Sequence, residues 1–178
     1  MAYFLFKRWP EQLFYAGQKD IVFHEARIPV SFVRIKESNI SLVRQLRGST
    51  YEEQFRYQLR LGDFGYYAFY EEKPVAYGWV KHYGSDDYFY KIGEGICYLC
   101  RFFTLESYRG NGIYPALISK LILHEENCEH FYIDVETGNI SSRRGLEKVG
   151  FRFVREYAFI RGFKHTFNKQ TLCQNKKQ

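Results

Sequence analysis

Long apolar runs are absent from this chain of 178 residues. No run approaches the roughly 18 consecutive apolar residues that a membrane-spanning helix requires. Residues 1–9 are largely apolar, but their charges, Lys7 and Arg8, follow the apolar part, whereas a secretory signal peptide begins with its positive charges. From these absences we expect a cytoplasmic protein that has no membrane partner.

Proline is scarce, with four residues, and no segment has the proline-, glycine- or serine-rich composition of an interdomain linker. We therefore predict a single domain over residues 1–178, which is long enough to bury roughly two thirds of its unfolded surface. A hydrophobic content of 46% with 20% aromatic residues argues against a disordered chain. Residues 1–27 are predicted to form extra N-terminal elements, and the polar residues 167–178 to form a flexible tail.

Cysteine is also scarce, and in a cytoplasmic protein all four cysteines are expected to be reduced thiols. They are Cys97, Cys100, Cys128 and Cys173. Cys97 and Cys100 have the spacing of a redox or zinc pair, but residues three apart on a strand point to opposite faces of the sheet. No second pair completes a zinc site, and the polar segment 124–130 lacks the histidine spacing of a zinc-binding helix. No metal is therefore predicted.

A glycine-containing loop at residues 108–114 is the most informative segment that is present. It joins a strand-like run, 96–104, to an apolar helical run, 115–123. Glycines let the backbone approach a ligand closely, and the start of a helix presents free N–H groups and a positive dipole end, a combination that binds pyrophosphate. The alternative is a tight turn without a ligand. The candidate ligand-binding residues are Arg109, Gly110, Asn111, Gly112, Ile113 and Tyr114.

A second segment follows the strand-like run 131–135 and strengthens the interpretation of the glycine loop as a ligand-binding loop. Its spaced residues are Val135, Asn139, Ser142, Glu147, Lys148, Gly150 and Phe151. Together with Arg109 and Gly112 this pattern resembles the coenzyme-binding core of the GCN5-related N-acetyltransferases, the GNAT family. The resemblance is strong over residues 93–163, and the earlier part agrees in the order of its elements.

The predicted elements agree with the fold that this resemblance implies. Periodicity, capping and turn signals give the order β-α-α-β-β-β-α-β-α-β. The strands are 28–35, 66–70, 75–83, 96–104, 131–135 and one within 152–163, and the helices are 38–46, 49–61, 115–123 and 140–148. This is a mixed α/β (α+β) fold whose central, mostly antiparallel sheet is flanked by helices. The first 27 residues add a strand and a helix.

The resemblance implies acetyl-CoA as co-substrate and places its pantetheine arm beside the strand that ends at Phe103, Thr104 and Leu105. A backbone N–H in this stretch would polarise the acyl carbonyl. Asn139 and Ser142 would bind the arm through polar groups. For Asn139, a helix N-cap is the alternative role.

Acyl transfer to an amine needs a base for the ammonium proton and an acid for the leaving thiolate. Glu94 is the first candidate for the base, although it could also be a solvated residue of the turn 93–95. Asp134 and Glu136 are the alternates. The acid is unassigned, because Leu146 stands where many family members carry a tyrosine. Tyr98 and Tyr157 are candidates for it.

A second departure from the family pattern lies in the glycine loop. The last position of the loop motif, where the family has a small residue, holds Tyr114. Its ring could either narrow the space beside the phosphates or turn outward.

The acceptor is predicted from charge and aromatic content. Residues 143–178 hold ten Lys or Arg against two Asp or Glu, so the C-terminal part is basic and suits the 3′-phosphate of coenzyme A. Aromatic residues are dense between 64 and 90, where they could stack on a sugar or base. We expect an N-acetyltransferase that acts on a small primary amine, such as a nucleotide-linked amino sugar.

Two alternatives stay open: the same chemistry on a protein amine or aminoacyl-tRNA, and a non-catalytic acyl-CoA-binding module. The expected partners are an acyl-CoA and an amine acceptor. Nucleic acid is not expected but not excluded, and a homodimer stays open.

Overall fold

The computed structural model describes residues 8–85, 90–125, 127–160 and 170–172. Within these ranges the strands are β1 (Arg8–Gly17), β2 (Val30–Arg34), β3 (Phe64–Tyr70), β4 (Lys73–Lys81), β5 (Tyr90–Ile92), β6 (Ile96–Thr104), β7 (His130–Glu136), β8 (Arg152–Ile160) and β9 (Gln170–Leu172). The α-helices are α1 (Arg44–Arg47), α2 (Thr50–Arg60), α3 (Ile113–Leu123) and α4 (Ile140–Val149).

Seven of the strands form one sheet in the order β2-β3-β4-β6-β7-β1-β8. All neighbours are antiparallel except β6 and β7, which are parallel because α3 connects them as a crossover. The predicted mixed, mostly antiparallel sheet with flanking helices is confirmed. No helix in the described residues is both long and apolar enough to cross a membrane.

A small parallel pair, β5 with β9, lies outside this sheet. The sequence predicted a tail over residues 167–178, whereas the structure has a strand at Gln170–Leu172. The neighbouring parts of that predicted tail lie outside the described residues.

The first helical segment begins with a 3₁₀ helix, Glu37–Val43, and continues as α1. The side-chain oxygen of Asn39 accepts a hydrogen bond from the Lys36 N–H at 2.8 Å, which fixes this start. Ser49 is the N-cap residue of α2, but its side chain makes no capping hydrogen bond. Instead, the Glu52 carboxylate bonds to the guanidinium of Arg44, so the acid ties α2 to α1 rather than capping its own helix.

Both faces of the sheet are buried. α3 and α4 cover one face, and α1 and α2 cover the other. The aromatic residues of β3 and β4 are packing residues: Tyr67 and Trp79 are fully buried, and the Phe55 ring of α2 packs edge-on against Trp79 with ring centroids 5.0 Å apart. Within the aromatic segment, Tyr67, Tyr77 and Trp79 therefore build the core beneath α2, whereas Phe64 and Tyr66 pack on the α3–α4 face. Tyr88 and Phe89 lie outside the described residues.

The N-terminal strand β1 is inserted between β7 and β8 and completes the sheet. Leu13 faces Asp134 on one side and Arg155 on the other. Alternate side chains enter different cores, because Leu13 and Tyr15 pack on one face while Phe14 and Ala16 pack on the other. The predicted extra strand is present, whereas in place of the predicted extra helix the described residues 8–27 contain only a 3₁₀ turn, Gln18–Asp20. β1 thus fills the gap that the β7–α4–β8 crossover leaves.

The expectation of four reduced cysteines is wrong for Cys97 and Cys128, which form a disulfide with an S–S distance of 2.02 Å. Cys97 lies at the start of β6, and Cys128 precedes β7. Because these parallel strands begin side by side, with Ile96 opposite His130, the two thiols meet. Cys100 packs on the other face of the sheet, as the strand spacing predicted. Cys173 lies outside the described residues.

Replacement of Gly150 by alanine should destabilise the fold. Gly150 ends α4 with a φ of 101°, and a Cβ atom there would lie 2.1 Å from the Asp20 carbonyl oxygen. We expect a loss of about 2 kcal/mol or more in the free energy of unfolding, because both the conformation and the contact oppose a side chain. Urea unfolding measures it, with Gly138→Ala as control, since nothing lies within 4 Å of a Cβ at Gly138. Equal midpoints for the two variants would contradict the close approach.

Candidate active site

The sheet opens between β6 and β7. Their parallel ladder joins Ile96–Leu99 to His130–Ile133 and then stops. Beyond it, β6 continues along β4, whereas β7 continues along β1. A β-bulge accompanies the separation: the register of β4 and β6 shifts between Tyr77 and Trp79, and Arg101 has a φ of 54°. The two diverging strands leave a cleft whose backbone edge can accept an extended ligand.

The glycine loop lies at the mouth of this cleft, directly after β6. Gly112 is the N-cap of α3 with a φ of 73°, and Gly110 has a φ of 83°. Both are left-handed conformations that favour glycine. The first N–H groups of α3 have no partner within the helix, so the loop directs donors and a positive dipole end toward one point. The geometry suits an anion such as pyrophosphate.

Hydrogen bonds from an earlier segment of the chain and from within the loop hold the glycine loop in place. The Asn111 carbonyl accepts a hydrogen bond from the Arg27 N–H at 2.8 Å, and the Asn111 side chain donates to the Tyr108 carbonyl at 3.1 Å. The Arg109 side chain is largely exposed and donates from Nε to the Thr104 carbonyl at 3.3 Å. Its guanidinium therefore lies beside the loop with room to contact a phosphate.

One predicted contact on β6 needs correction. The Leu105 N–H donates to the Val75 carbonyl at 2.9 Å and so is not available to an acyl carbonyl. Since successive residues of an antiparallel strand alternate in direction, Thr104 presents its backbone to the cleft, and its carbonyl accordingly contacts Arg109 rather than β4. The Phe103 ring points to the α1–α2 face, where it stacks on Tyr77.

Tyr114 points inward. Its ring packs edge-on against Phe102 of β6, with centroids 5.1 Å apart, and contacts Gly145 of α4 so closely that a Cβ there would lie 2.8 Å from the ring. The ring thus lies between α3 and α4 beside the cleft. Burial raises the pKa of Tyr114, and the charge of Asp134 raises it further, so the hydroxyl keeps its proton. Leu146, the next residue of α4, is buried in the core.

Asn139 caps α4. Its side-chain oxygen accepts a hydrogen bond from the Ser142 N–H at 3.1 Å, which is the alternative role considered from the sequence. The Asn139 amide nitrogen stays a predicted ligand contact, as does Ser142.

Glu94 is not brought to the cleft. It is exposed in the turn that precedes β6, whereas the cleft lies toward the other end of that strand. A strand of this length spans roughly 25 Å. Its role as the base therefore has no support from its position.

A carboxylate cluster at the cleft includes a residue that the sequence analysis missed. Glu11 of β1 lies opposite Glu136, and Asp134, two residues before, lies opposite Leu13. Burial, followed by the charges of Asp134 and Glu136, raises the pKa of Glu11 to about 7. Asp134 also accepts a hydrogen bond from the Tyr98 hydroxyl at 2.5 Å. The side chain of Tyr157, the other candidate acid, lies outside the described residues.

No local signal in the sequence marks Glu11. It is one acid in an N-terminal strand, and it reaches the site because β1 pairs with β7, about 120 residues later in the chain. Asp134 and Glu136 were found because they end the strand before the second motif.

Comparisons with known proteins agree with this geometry. A model of the acetyltransferase (GNAT) family matches residues 31–151. The sequence has no match among curated proteins. A GNAT-family protein from Novosphingobium aromaticivorans has a similar structure, with a TM-score of 0.62 at 18% identity over 85% of this chain and 63% of that chain.

Two further solved structures share the fold. AAC(6')-Iy, in complex with the bisubstrate analogue CoA-S-monomethyl-acetylneamine, has a TM-score of 0.58 at 14% identity over 75% of this chain and 98% of its own. A GCN5-related glucosamine N-acetyltransferase region of a fungal multi-domain β-N-acetylglucosaminidase has a TM-score of 0.59 at 16% identity, over 84% of this chain and 20% of that protein.

The chain spans 55 to 63% of the length of three of the structures that it matches. The family match nevertheless covers more than half of the chain, so the predicted resemblance to the GNAT family is confirmed. Acetyl-CoA is the co-substrate that this family uses. The chain belongs to the GNAT family of acetyltransferases.

Proposed function

We propose that this protein transfers an acetyl group from acetyl-CoA to the primary amine of a small molecule, by direct attack within a ternary complex. The observation that carries the proposal is the cleft between β6 and β7, which has the anion-binding loop at its mouth and the Glu11 cluster beside it. The anion-binding loop suits the coenzyme, and the acidic Glu11 cluster suits an amine.

The coenzyme is held by backbone groups. The N–H groups of residues 110–114 bind its pyrophosphate, with Arg109 adding positive charge. Its pantetheine arm lies along the open edge of β6, where Thr104 presents its backbone. A backbone N–H on this edge polarises the thioester carbonyl, and such a contact is worth a few kcal/mol, roughly, in the transition state.

The proton steps are assigned to two side chains. Glu11 accepts a proton from the acceptor ammonium, because its pKa of about 7 lets it be ionised and still basic at neutral pH. The amine nitrogen then attacks the carbonyl carbon, the carbon–sulfur bond breaks, and the thiolate takes a proton from the Tyr114 hydroxyl. The excess proton on the nitrogen of the new amide restores that hydroxyl, and the proton on Glu11 passes to solvent. Tyr114 thereby supplies the hydroxyl that Leu146 lacks, and the absence of a side chain at Gly145 makes room for its ring.

The acceptor is matched by opposite charges on the two walls of the cleft. Glu11, Asp134 and Glu136 form an acidic wall on β1 and β7. On the α1 side, the Arg47 guanidinium lies 4.8 Å from the centroid of the Phe103 ring and 4.4 Å from that of Tyr51. We infer an acceptor with an amine and an anionic group, such as a nucleotide-linked amino sugar whose phosphate pairs with Arg47.

Two structural relatives support a sugar amine as the acceptor. AAC(6')-Iy was solved with an acetylneamine analogue, and the fungal region is named as a glucosamine N-acetyltransferase. A cytoplasmic location and a homodimer stay predictions.

The acceptor is tested with a panel of amines. Release of CoA from acetyl-CoA is measured with free amino sugars, nucleotide-linked amino sugars, polyamines, a lysine peptide and aminoacyl-tRNA. We expect the highest kcat/KM with a nucleotide-linked amino sugar. Turnover only with peptide or aminoacyl-tRNA would move the function to a macromolecular amine. Binding of acetyl-CoA without turnover on any amine would indicate a coenzyme-binding module.

Charge reversal at Arg109 should weaken coenzyme binding. Arg109→Glu places a carboxylate beside the loop that binds pyrophosphate, so we expect the Kd for acetyl-CoA to rise about tenfold or more. Isothermal titration measures it, and Arg60→Glu in the last turn of α2 is the matched control. An unchanged Kd for a folded Arg109→Glu protein would remove the pyrophosphate from this loop.

A further inference from the structure

Four side chains with metal-binding chemistry converge at the end of β6 that lies away from the glycine loop. His82 follows β4, Cys97 begins β6, Glu125 follows α3, and Cys128 precedes β7. The ligand atoms of His82, Cys97 and Glu125 all lie within 4.8 Å of one another. Cys128 joins them through its bond to Cys97 and through its Sγ, which lies 3.5 Å from Glu125 Oε2.

The surroundings of the Glu125 carboxylate indicate that this cluster lacks a cation. Its carboxylate is buried, and Oε1 lies 2.9 Å from His82 Nε2. Oε2 faces sulfur on two sides, at 3.2 Å from Cys97 and 3.5 Å from Cys128. A thiol could donate a proton to this oxygen, but a disulfide sulfur has none. A buried carboxylate oxygen that faces sulfur without a proton is costly, and a cation between them would remove that cost.

We propose that His82, Cys97, Glu125 and Cys128 bind a zinc ion when the Cys97–Cys128 disulfide is reduced. A phosphine or dithiol reductant supplies two electrons, the S–S bond breaks, and two protons convert the sulfurs to thiols. Zinc binding then releases both thiol protons, so that two thiolates, one imidazole and one carboxylate surround the ion.

The ligand set favours zinc over other common cations. Thiolate and imidazole are soft or borderline ligands that suit Zn²⁺, whereas Mg²⁺ and Ca²⁺ prefer oxygen. Two thiolates and one carboxylate would place three negative charges in a largely buried site, and the ion offsets two of them. Four ligands from separate elements give the closed arrangement of a structural zinc site. The sequence predicted no metal because positions 82, 97, 125 and 128 do not have the spacing of a known zinc motif.

The consequence is a stability that depends on the redox state. The ion would link β4, β6, α3 and β7, and the disulfide links only the starts of β6 and β7. Both cross-links hold the closed end of β6, opposite the end where the coenzyme cleft opens. The proposal does not depend on the acetyltransferase activity.

Metal content of the whole chain tests the proposal. The wild type is reduced with a phosphine under anaerobic conditions, mixed with zinc, desalted and challenged with a chromophoric chelator. We expect about one zinc per chain in the reduced protein and almost none in the oxidised protein. Cys97→Ser and Cys128→Ser should each weaken zinc binding about a hundredfold, and Cys100→Ser, the matched control, should keep it.

Cobalt gives a readout that needs no variant. Reduced wild type with Co²⁺ should show thiolate-to-cobalt charge transfer and the intense visible bands of a tetrahedral ion, and zinc should protect Cys97 and Cys128 from alkylation. These results support the site even if a serine variant does not fold. A reduced, folded wild type that loses all zinc to the chelator and shows no cobalt spectrum would overturn the proposal and leave a disulfide pair beside a buried acid.

Discussion

Replacing Glu11 with glutamine should lower the rate of acetyl transfer about a hundredfold or more, while the Kd for acetyl-CoA changes little. The amide has nearly the same shape but cannot accept the ammonium proton. Because Glu11 lies in β1, opposite Glu136, its loss leaves the glycine loop and the open edge of β6 as they are. Single-turnover kinetics and isothermal titration separate the two effects.

The pH dependence should identify the residue. In the wild type, kcat/KM should rise with pH through about 7 as Glu11 loses its proton, since burial and the charges of Asp134 and Glu136 raise its pKa to that value. The variant should lack this limb. Glu53→Gln on α2, an exposed acid, is the matched control and should keep the wild-type profile. If Glu11→Gln turned over normally with an unchanged profile, the base would be another residue.

The same substitution should stabilise the fold. The folded pKa of Glu11 lies above its unfolded value, so the native state holds an extra proton between about pH 4.5 and 7. This contribution to stability is complete below about pH 4.5 and is lost as pH rises through 7. Above pH 7, Glu11→Gln should unfold with a free energy about 1 kcal/mol larger than the wild type, a figure reduced for the screening of a half-buried group. Slower turnover combined with a larger free energy of unfolding would indicate that the Glu11 carboxylate serves catalysis at a cost in stability.

Removing the hydroxyl of Tyr114 should lower kcat about a hundredfold, the lower end of what a positioned general acid contributes. Tyr114→Phe keeps the ring that packs between Phe102 and Gly145, so acetyl-CoA affinity should hold. Leu146 carries no hydroxyl that could replace the lost donor. Release of CoA under single turnover measures the effect.

A pair of variants distinguishes chemistry from packing. Tyr108→Phe, also in the loop region and tilted against Tyr70, should leave kcat unchanged. An acyl donor whose leaving thiolate is a weaker base than that of coenzyme A should rescue Tyr114→Phe in part, since a weaker base needs the proton less. If Tyr114→Phe were as active as the wild type with the ordinary thioester, solvent would be the proton source.

The elements that the sequence predicted well are those with strong local signals. β6 was predicted at 96–104 and is found at Ile96–Thr104, and α4 was predicted at 140–148 and is found at Ile140–Val149. Alternation and an asparagine cap are enough to fix such bounds. The glycine loop was predicted for the same reason. Its left-handed backbone conformations occur at glycines, and the sequence shows where these glycines are.

What the sequence could not predict depends on pairing between distant segments. An extra strand was predicted within residues 1–27, but nothing local in the sequence places β1 between β7 and β8. The Glu11 cluster and the Cys97–Cys128 contact both follow from strand neighbours that are far apart in the chain. The direction of Tyr114 was likewise open, and it is decided by the missing side chain of Gly145 on another helix.

Acetyl-CoA should bind in the cleft between β6 and β7 with its pyrophosphate on the glycine loop. Hydrogen exchange of the backbone amides, measured with and without saturating acetyl-CoA, tests this binding mode. We expect slowed exchange in residues 110–114 and along 101–104, with little change in β2 and β3. Binding of acetyl-CoA that left both of these segments unprotected would contradict it.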